Sequence, residues 1–208
     1  MPHAQYVAVS LPEGRRLAAL FGISEDLLAC RDYILLYKSI CQTERSQLNY
    51  QLMDCIITTI FIRYGRCFGS CVRSRTHQEL KSIMDAADLP VHQLAIDFRD
   101  KHFAHSINRC ESPALTVSLR IDSPDREVTS VSVGINSFLA PDMFVFDNLL
   151  ILIDKLRAWA ISEQNTECQR LLPIIKGQYS IDDLYKLLGN PPKKPMQYGD
   201  VSKARKST

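Results

Sequence analysis

Apolar positions recur at three- and four-residue spacing through most of the chain, so the pattern is helical almost throughout. Residues 1–10 carry no clear period. Pro12 opens a short helix through Arg15, Leu17 and Leu20 that is expected to stop at Gly22. Ser24 then reads as an N-cap with Glu25 and Asp26 in the first turn, and Leu27, Leu28, Ile34, Leu35 and Ile40 carry a helix to about residue 41. A longer helix follows over about 46–68, with Leu48, Leu52, Cys55, Ile56, Thr59 and Ile60 along one side. Thr76-His77-Gln78-Glu79 has the form of a capping box for a helix to about residue 87, which uses up His77. Asp88-Leu89-Pro90 starts the next, with proline tolerated in its first turn and Val91, Leu94, Ala95 and Phe98 as its apolar stripe.

The period then changes to two. Leu115, Val117, Leu119 and Ile121 alternate with polar residues, Ser123-Pro124-Asp125 turns the chain, and Val131, Val133 and Ile135 alternate again. This is a hairpin over about 114–136, and one apolar face of it is expected to lie on the helices, because an isolated hairpin is marginal in water. Pro141 opens the longest helix, with Val145, Leu149, Leu152, Leu156 and Trp159 as its seam. Phe146, Leu150 and Ile153 widen that seam enough to touch a second surface such as another subunit, and Pro173 is expected to end the helix at the latest. A short helix over 180–188 closes at Gly189. The expected fold is mainly α: an up-and-down helical bundle with a hairpin inserted before the last long helix. It forms one domain over 1–189, followed by a tail over 190–208. From residue 193 onward the tail carries five basic residues and one acid, which predicts disorder and a nonspecific attraction to polyanions.

With 46% hydrophobic and 23% charged residues in 208, the composition is that of an ordinary soluble globular protein, and a net charge of +2 decides little about partners. Seven cysteines are an odd number in helical, apolar surroundings without a secretory signal, and predict reduced thiols in the cytoplasm. Cys67, Cys71 and His77 lack a second ligand pair at metal spacing, so buried thiols are preferred and neither metal nor cofactor is expected. The apolar run over 55–61 is too short to span a bilayer. Phosphate-cradling glycine loops and dinucleotide fingerprints are absent, and Asp182-Asp183 lies where a helix start favours negative charge.

Two stretches carry candidate chemistry. Extending the stripe beyond Phe98 lands on His102 and His105, so Phe98-Arg99-Asp100-Lys101-His102-Phe103-Ala104-His105 concentrates an arginine, an acid, a lysine and two imidazoles at a helix end. Arg99 borders that face, whereas His105, six residues on, is rotated away unless the last turn is distorted. Helix capping by histidine and a solvated arginine explain the same residues without function. The second stretch is 63–75, where Arg63, Arg66, Arg73 and Arg75 surround Tyr64 and Phe68. Such residues suit phosphate and base contacts, and a helix C-terminus attracts the same cations.

The order of these elements, together with Arg99, Asp100 and then His105 after five intervening residues, resembles the HEPN superfamily (higher eukaryote and prokaryote nucleotide-binding domains), and most of all its bacterial members of the abortive-infection type. The stretch from Arg63 to Phe68 also looks like the second helix of such proteins, and the likeness covers roughly residues 24–165. The resemblance implies a metal-independent endoribonuclease, built as a homodimer with the motifs of both subunits facing one cleft, in a toxin–antitoxin or phage-defence setting with an antitoxin or other partner protein. Within it His105 is the acid or base, Arg99 stabilises the transition state and Asp100 orients one of them, while His102, Lys101, Arg63 and Arg66 bind RNA. Cleavage by a neighbouring 2′-hydroxyl needs a base, an acid and a cation for the phosphorane, which histidine and arginine can supply. Two alternatives come from other classes. One is a noncatalytic HEPN-like module that binds RNA, a nucleotide or a protein through the same cleft. The other is a scaffold that oligomerises through the long helix over 141–172, with the Arg99 cluster structural.

Overall fold

The computed structural model describes residues 7, 9, 11–43, 46–69, 74–103, 113–120, 127–135 and 141–188, with the backbone alone at 47, 74–75, 102–103, 113–114, 127 and 133–135. The fold is mainly α with an inserted hairpin. Its order is a 3₁₀ turn at Pro12–Gly14, α1 (Arg15–Cys41), α2 (Gln47–Arg66), α3 (Ser74–Ser82), α4 (Asp88–Asp97) and a π turn at Phe98–Phe103, then β1 (Pro113–Arg120), β2 (Glu127–Ile135), α5 (Met143–Gln178) and α6 (Ile181–Lys186). No described helix is long and apolar enough to cross a membrane. The tail over 190–208, together with Gly189, lies outside the described residues.

Where the sequence predicts two helices broken at Gly22, there is one. Leu20, Ile23, Leu27, Cys30, Ile34 and Tyr37 are buried at three-and-four spacing straight through the expected break, and Ser24 is buried inside the helix instead of capping it. An internal glycine costs about 1 kcal/mol, whereas burying each large aliphatic side chain contributes about 1.5–3. The seam therefore decides. Helix α2 starts as expected, with the Ser46 hydroxyl accepting from the Asn49 N–H at 3.2 Å. Its buried stripe begins later, at Ile56, while Leu48 and Leu52 are exposed. Helix α3 starts at Ser74, so Thr76 is a buried residue within it and not its cap.

Helix α4 is capped by a reciprocal pair: Asp85 accepts from the Ala87 and Asp88 N–H groups, and the Asp88 carboxylate accepts from the Asp85 N–H at 3.0 Å. In the first half of α5 the buried residues are Phe146, Leu149, Leu152, Ile153, Leu156 and Ala160, so Phe146 and Ile153 belong to the core seam itself. The helix continues through Pro173 to Gln178, with Leu171 buried beside the proline. Pro173 has no N–H for the Gln169 carbonyl and is exposed. Pro173→Ala is expected to raise stability by about 1 kcal/mol, less than the full helix-interior penalty because proline also restricts the unfolded chain; a urea melt measures it. Ser180 caps α6 by accepting from the Asp183 N–H at 3.1 Å.

The chain divides into two compact units. One comprises Met1–Glu25, Cys67–Ile83 and Lys155–Thr208. Within it Arg16 donates to Glu79, Glu163 and Glu167 at 2.8, 2.6 and 2.9 Å, and Arg170 donates to Glu167 at 2.9 and 2.7 Å. The other comprises Asp26–Arg66 and Met84–Asp154, and contains the hairpin and the candidate site. An aromatic chain runs through its core: Tyr37 packs on Phe146 at 4.8 Å between ring centroids, Phe146 on Phe61 at 6.2 Å, and Phe61 on Phe98 at 4.7 Å.

Strands β1 and β2 pair antiparallel, with Leu115 opposite Val133, Val117 opposite Val131, and Leu119 opposite Val128 across a bulge that skips Thr129. The expected docking of the apolar face onto the helices is not found. Leu115, Val117, Leu119, Val128 and Val131 are all exposed.

Candidate functional site

The site is built where the end of α4 meets the end of α2. Phe98 anchors the approach on Phe61, and the chain then leaves α-helical winding for a π turn over Phe98–Phe103. Such a turn bonds each N–H one residue further back than an α-helix, which widens it, and such turns are frequent at functional sites. The distortion takes in Arg99 and Asp100. His105 itself lies outside the described residues, as does the side chain of His102.

Arg99 occupies a notch on α2. Its Nη1 donates to the Gly65 carbonyl at 2.8 Å and its Nε to Asp100 Oδ1 at 2.5 Å. A β-carbon on residue 65 would lie 2.0 Å from Arg99 Cδ and 2.8 and 2.9 Å from Nη1 and Nε, so glycine is required for the arginine to lie against the helix backbone. Because α2 ends at Arg66, the Gly65 carbonyl is among the last four, which lack an intrahelical partner. Arg99 thus satisfies a helix end and places a cation at the negative end of its dipole. Two of its five N–H donors serve this seating. Asp100 is about half exposed beside it.

The remaining candidates are placed differently. Arg63 and Arg66 meet on Asp26 of α1, with Arg63 Nη1 and Arg66 Nε at 3.3 and 3.6 Å from its two carboxylate oxygens. Asp26 is 3% exposed, so these arginines answer a buried charge. On a helix, residues 63 and 65 point about 200° apart, so Arg63 leaves α2 on the side away from the notch. One turn along α1, burial foremost and then the Asp26 charge push the Cys30 thiol up to about 12, which keeps it protonated and unreactive. Lys101 pairs with Asp97 at 3.0 Å. Hydrogen bonds from Lys101 and then Gln93 hold the Asp97 carboxyl below its ordinary value.

One pair escapes the sequence reading. The buried Tyr64 hydroxyl shares a hydrogen bond with His92 Nδ1 at 3.0 Å, joining α2 to α4 immediately beside the notch. The available signal is positional: His92, Ala95 and Arg99 stand at i, i+3 and i+7, the face that meets α2, while Tyr64 precedes Gly65. Of the thiols, Cys30 and Cys67 are buried while Cys55 and Cys168 are exposed; Cys71 and Cys110 lie outside the described residues. Among the described residues, no group of three or more His, Cys, Asp and Glu side chains is placed to hold a metal ion. Comparisons with protein-family models, with curated proteins and with solved structures found no match to this chain.

Proposed function

We propose that the chain is a metal-independent endoribonuclease of HEPN type, cleaving RNA by attack of the 2′-hydroxyl on the adjacent phosphate, with Arg99 and His105 as its central residues. The observation that carries the reading is the seating of Arg99. Its guanidinium is held from one side by the Gly65 carbonyl and from the other by Asp100, so the fork is oriented before any substrate arrives. A cation fixed in this way costs little to reorganise as charge develops on a phosphorane. The π turn over Phe98–Phe103 supports the same reading, since such turns are frequent at functional sites and this one carries Arg99 and Asp100.

In the proposed reaction one histidine removes the 2′-hydroxyl proton and another protonates the departing 5′-oxygen. With His105 contributed by each of two copies, a homodimer supplies both. The products are a 2′,3′-cyclic phosphate and a free 5′-hydroxyl. DNA lacks the nucleophile and is not cut by this route. A toxin or phage-defence role in the cytoplasm, held in check by a partner protein, belongs to the same proposal and rests on the resemblance alone.

Incubation of the full chain with mixed single-stranded RNA in EDTA tests the reading. Fragments ending in 2′,3′-cyclic phosphate are expected, with Arg99→Ala and His105→Ala each reducing the rate at least ~100-fold. Retained RNA affinity in His105→Ala would assign the histidine to catalysis and not to binding. Wild-type RNA binding without cleavage would favour the noncatalytic module, and full cleavage by both variants would overturn the assignment.

A further inference from the structure

The hairpin has two chemically distinct faces. On one, Thr116 and Ser132 share a hydroxyl hydrogen bond at 2.7 Å, and Ser118 lies opposite Ser130. The other carries Leu115, Val117 and Leu119 from β1 and Val128 and Val131 from β2. The bulge at Thr129 is what puts both valines on that side: without it, Leu119 would face Thr129 and Val128 would turn to the polar face. All five aliphatic side chains are open, with Leu115 75% and Val131 62% exposed.

We propose that this face is a self-association surface and that its occupant is the same face of a second copy of this chain. Three observations favour that occupant. The charged residues of the two strands are Arg120 and Glu127, cross-strand partners of opposite sign at the turn end of the ladder, so the apolar face offers nothing to a polyanion or a charged peptide and nothing to repel its own copy. The exposed aliphatic area is on the order of 500 Å² per copy, above what scattered surface residues give, and two copies together reach the roughly 1,000 Å² that a specific interface needs. The shapes also interlock. A two-fold axis along the strands, between the two faces, lays β1 of one copy over β2 of the other, so the longer leucines of β1 meet the shorter valines of β2 at about 10 Å sheet spacing. The contact is isologous and closes, and it supplies the layer that a lone two-stranded ribbon lacks. The inference takes this face as the contact of the homodimer that the ribonuclease reading also needs, but it does not rest on that reading, since cleavage of RNA is measured separately.

Sedimentation velocity of the full chain over a concentration series tests it. A reversible dimer is expected for wild type. Val117→Lys, which sets an ammonium in the centre of the face, should weaken dimerisation at least ~100-fold while leaving the helical circular dichroism unchanged, because residue 117 is exposed in the single chain. Ser118→Lys adds the same charge to the opposite face and should dimerise like wild type. A wild-type monomer at every concentration, or a Val117→Lys protein that still dimerises, would overturn the proposal.

Discussion

Under the ribonuclease proposal, Gly65→Ala is expected to reduce RNA cleavage at least ~100-fold while changing stability by no more than about 1 kcal/mol. At an ordinary helical position alanine would stabilise by about 0.5–1 kcal/mol. Here its β-carbon would fall 2.0 Å from Arg99 Cδ, a stem atom whose displacement moves the whole guanidinium. Arg99 must then leave the notch, forfeiting its bond to the Gly65 carbonyl, worth about 1 kcal/mol net, so the helix gain and the lost bond nearly cancel. On that proposal activity has no such offset, because the cation would no longer be held where the phosphorane is to form. Cleavage rates measured beside a urea melt separate the two effects. A Gly65→Ala protein that cleaves like wild type would show that Arg99 acts only as a cap for α2.

The notch also explains what could be read from the chain and what could not. Arg99 and Asp100 are conspicuous as a charged pair ending an apolar stripe. Their seat is a glycine 34 positions earlier, whose need for a missing β-carbon shows only when α4 is laid on α2. His92 was hidden for a related reason: the stripe was phased on Val91 and Leu94, whereas Leu94 is 39% exposed and His92 is buried against Tyr64. Periodicity identifies a face only to within a residue or so, and a buried polar pair has no apolar signature. Arg63 and Arg66 cluster in the sequence, which gives no hint that both also pair with a buried Asp26 on another helix.

The same competition between local and tertiary terms governs the elements. Gly22 and Ser24 are helix-breaking or capping signals, and both lie within a helix because an uninterrupted apolar seam outweighs a local cost of about 1 kcal/mol; Pro173 also lies within a helix, with Leu171 buried beside it. The hairpin runs the other way. Alternation identifies both strands but not Val128, which the bulge brings to the apolar face, and the expectation that an apolar face covers the helices fails: Leu115, Val117, Leu119, Val128 and Val131 are exposed.

Arg16→Ala is expected to cost about 2 kcal/mol in stability at neutral pH. Burial works against the Arg16 charge, but the hydrogen bonds it donates to Glu79, Glu163 and Glu167 outweigh it and hold the guanidinium above its ordinary pKa. Without it three carboxylates face one another, with Glu167 nearly buried and left to Arg170 alone. The pH dependence gives the prediction its signature. In the wild type, hydrogen bonds from Arg170 foremost, opposed by burial and reinforced by Arg16, hold the Glu167 carboxyl below its unfolded value. Its contribution is therefore fully present above that unfolded value and is lost as pH falls through the depressed one. In Arg16→Ala the carboxylates repel, so acid relieves strain instead of removing a bond. The stability difference should be largest at pH 7 and should shrink as pH falls through about 4.3, the ordinary glutamate range. Arg16→Lys should recover part of the loss, since one ammonium cannot present the planar fork that reaches three acids from a single side chain. Urea melts of the three proteins at pH 7 and pH 4 decide it: a difference that stays constant with pH would mean that Arg16 contributes through packing of its stem and not through its charge.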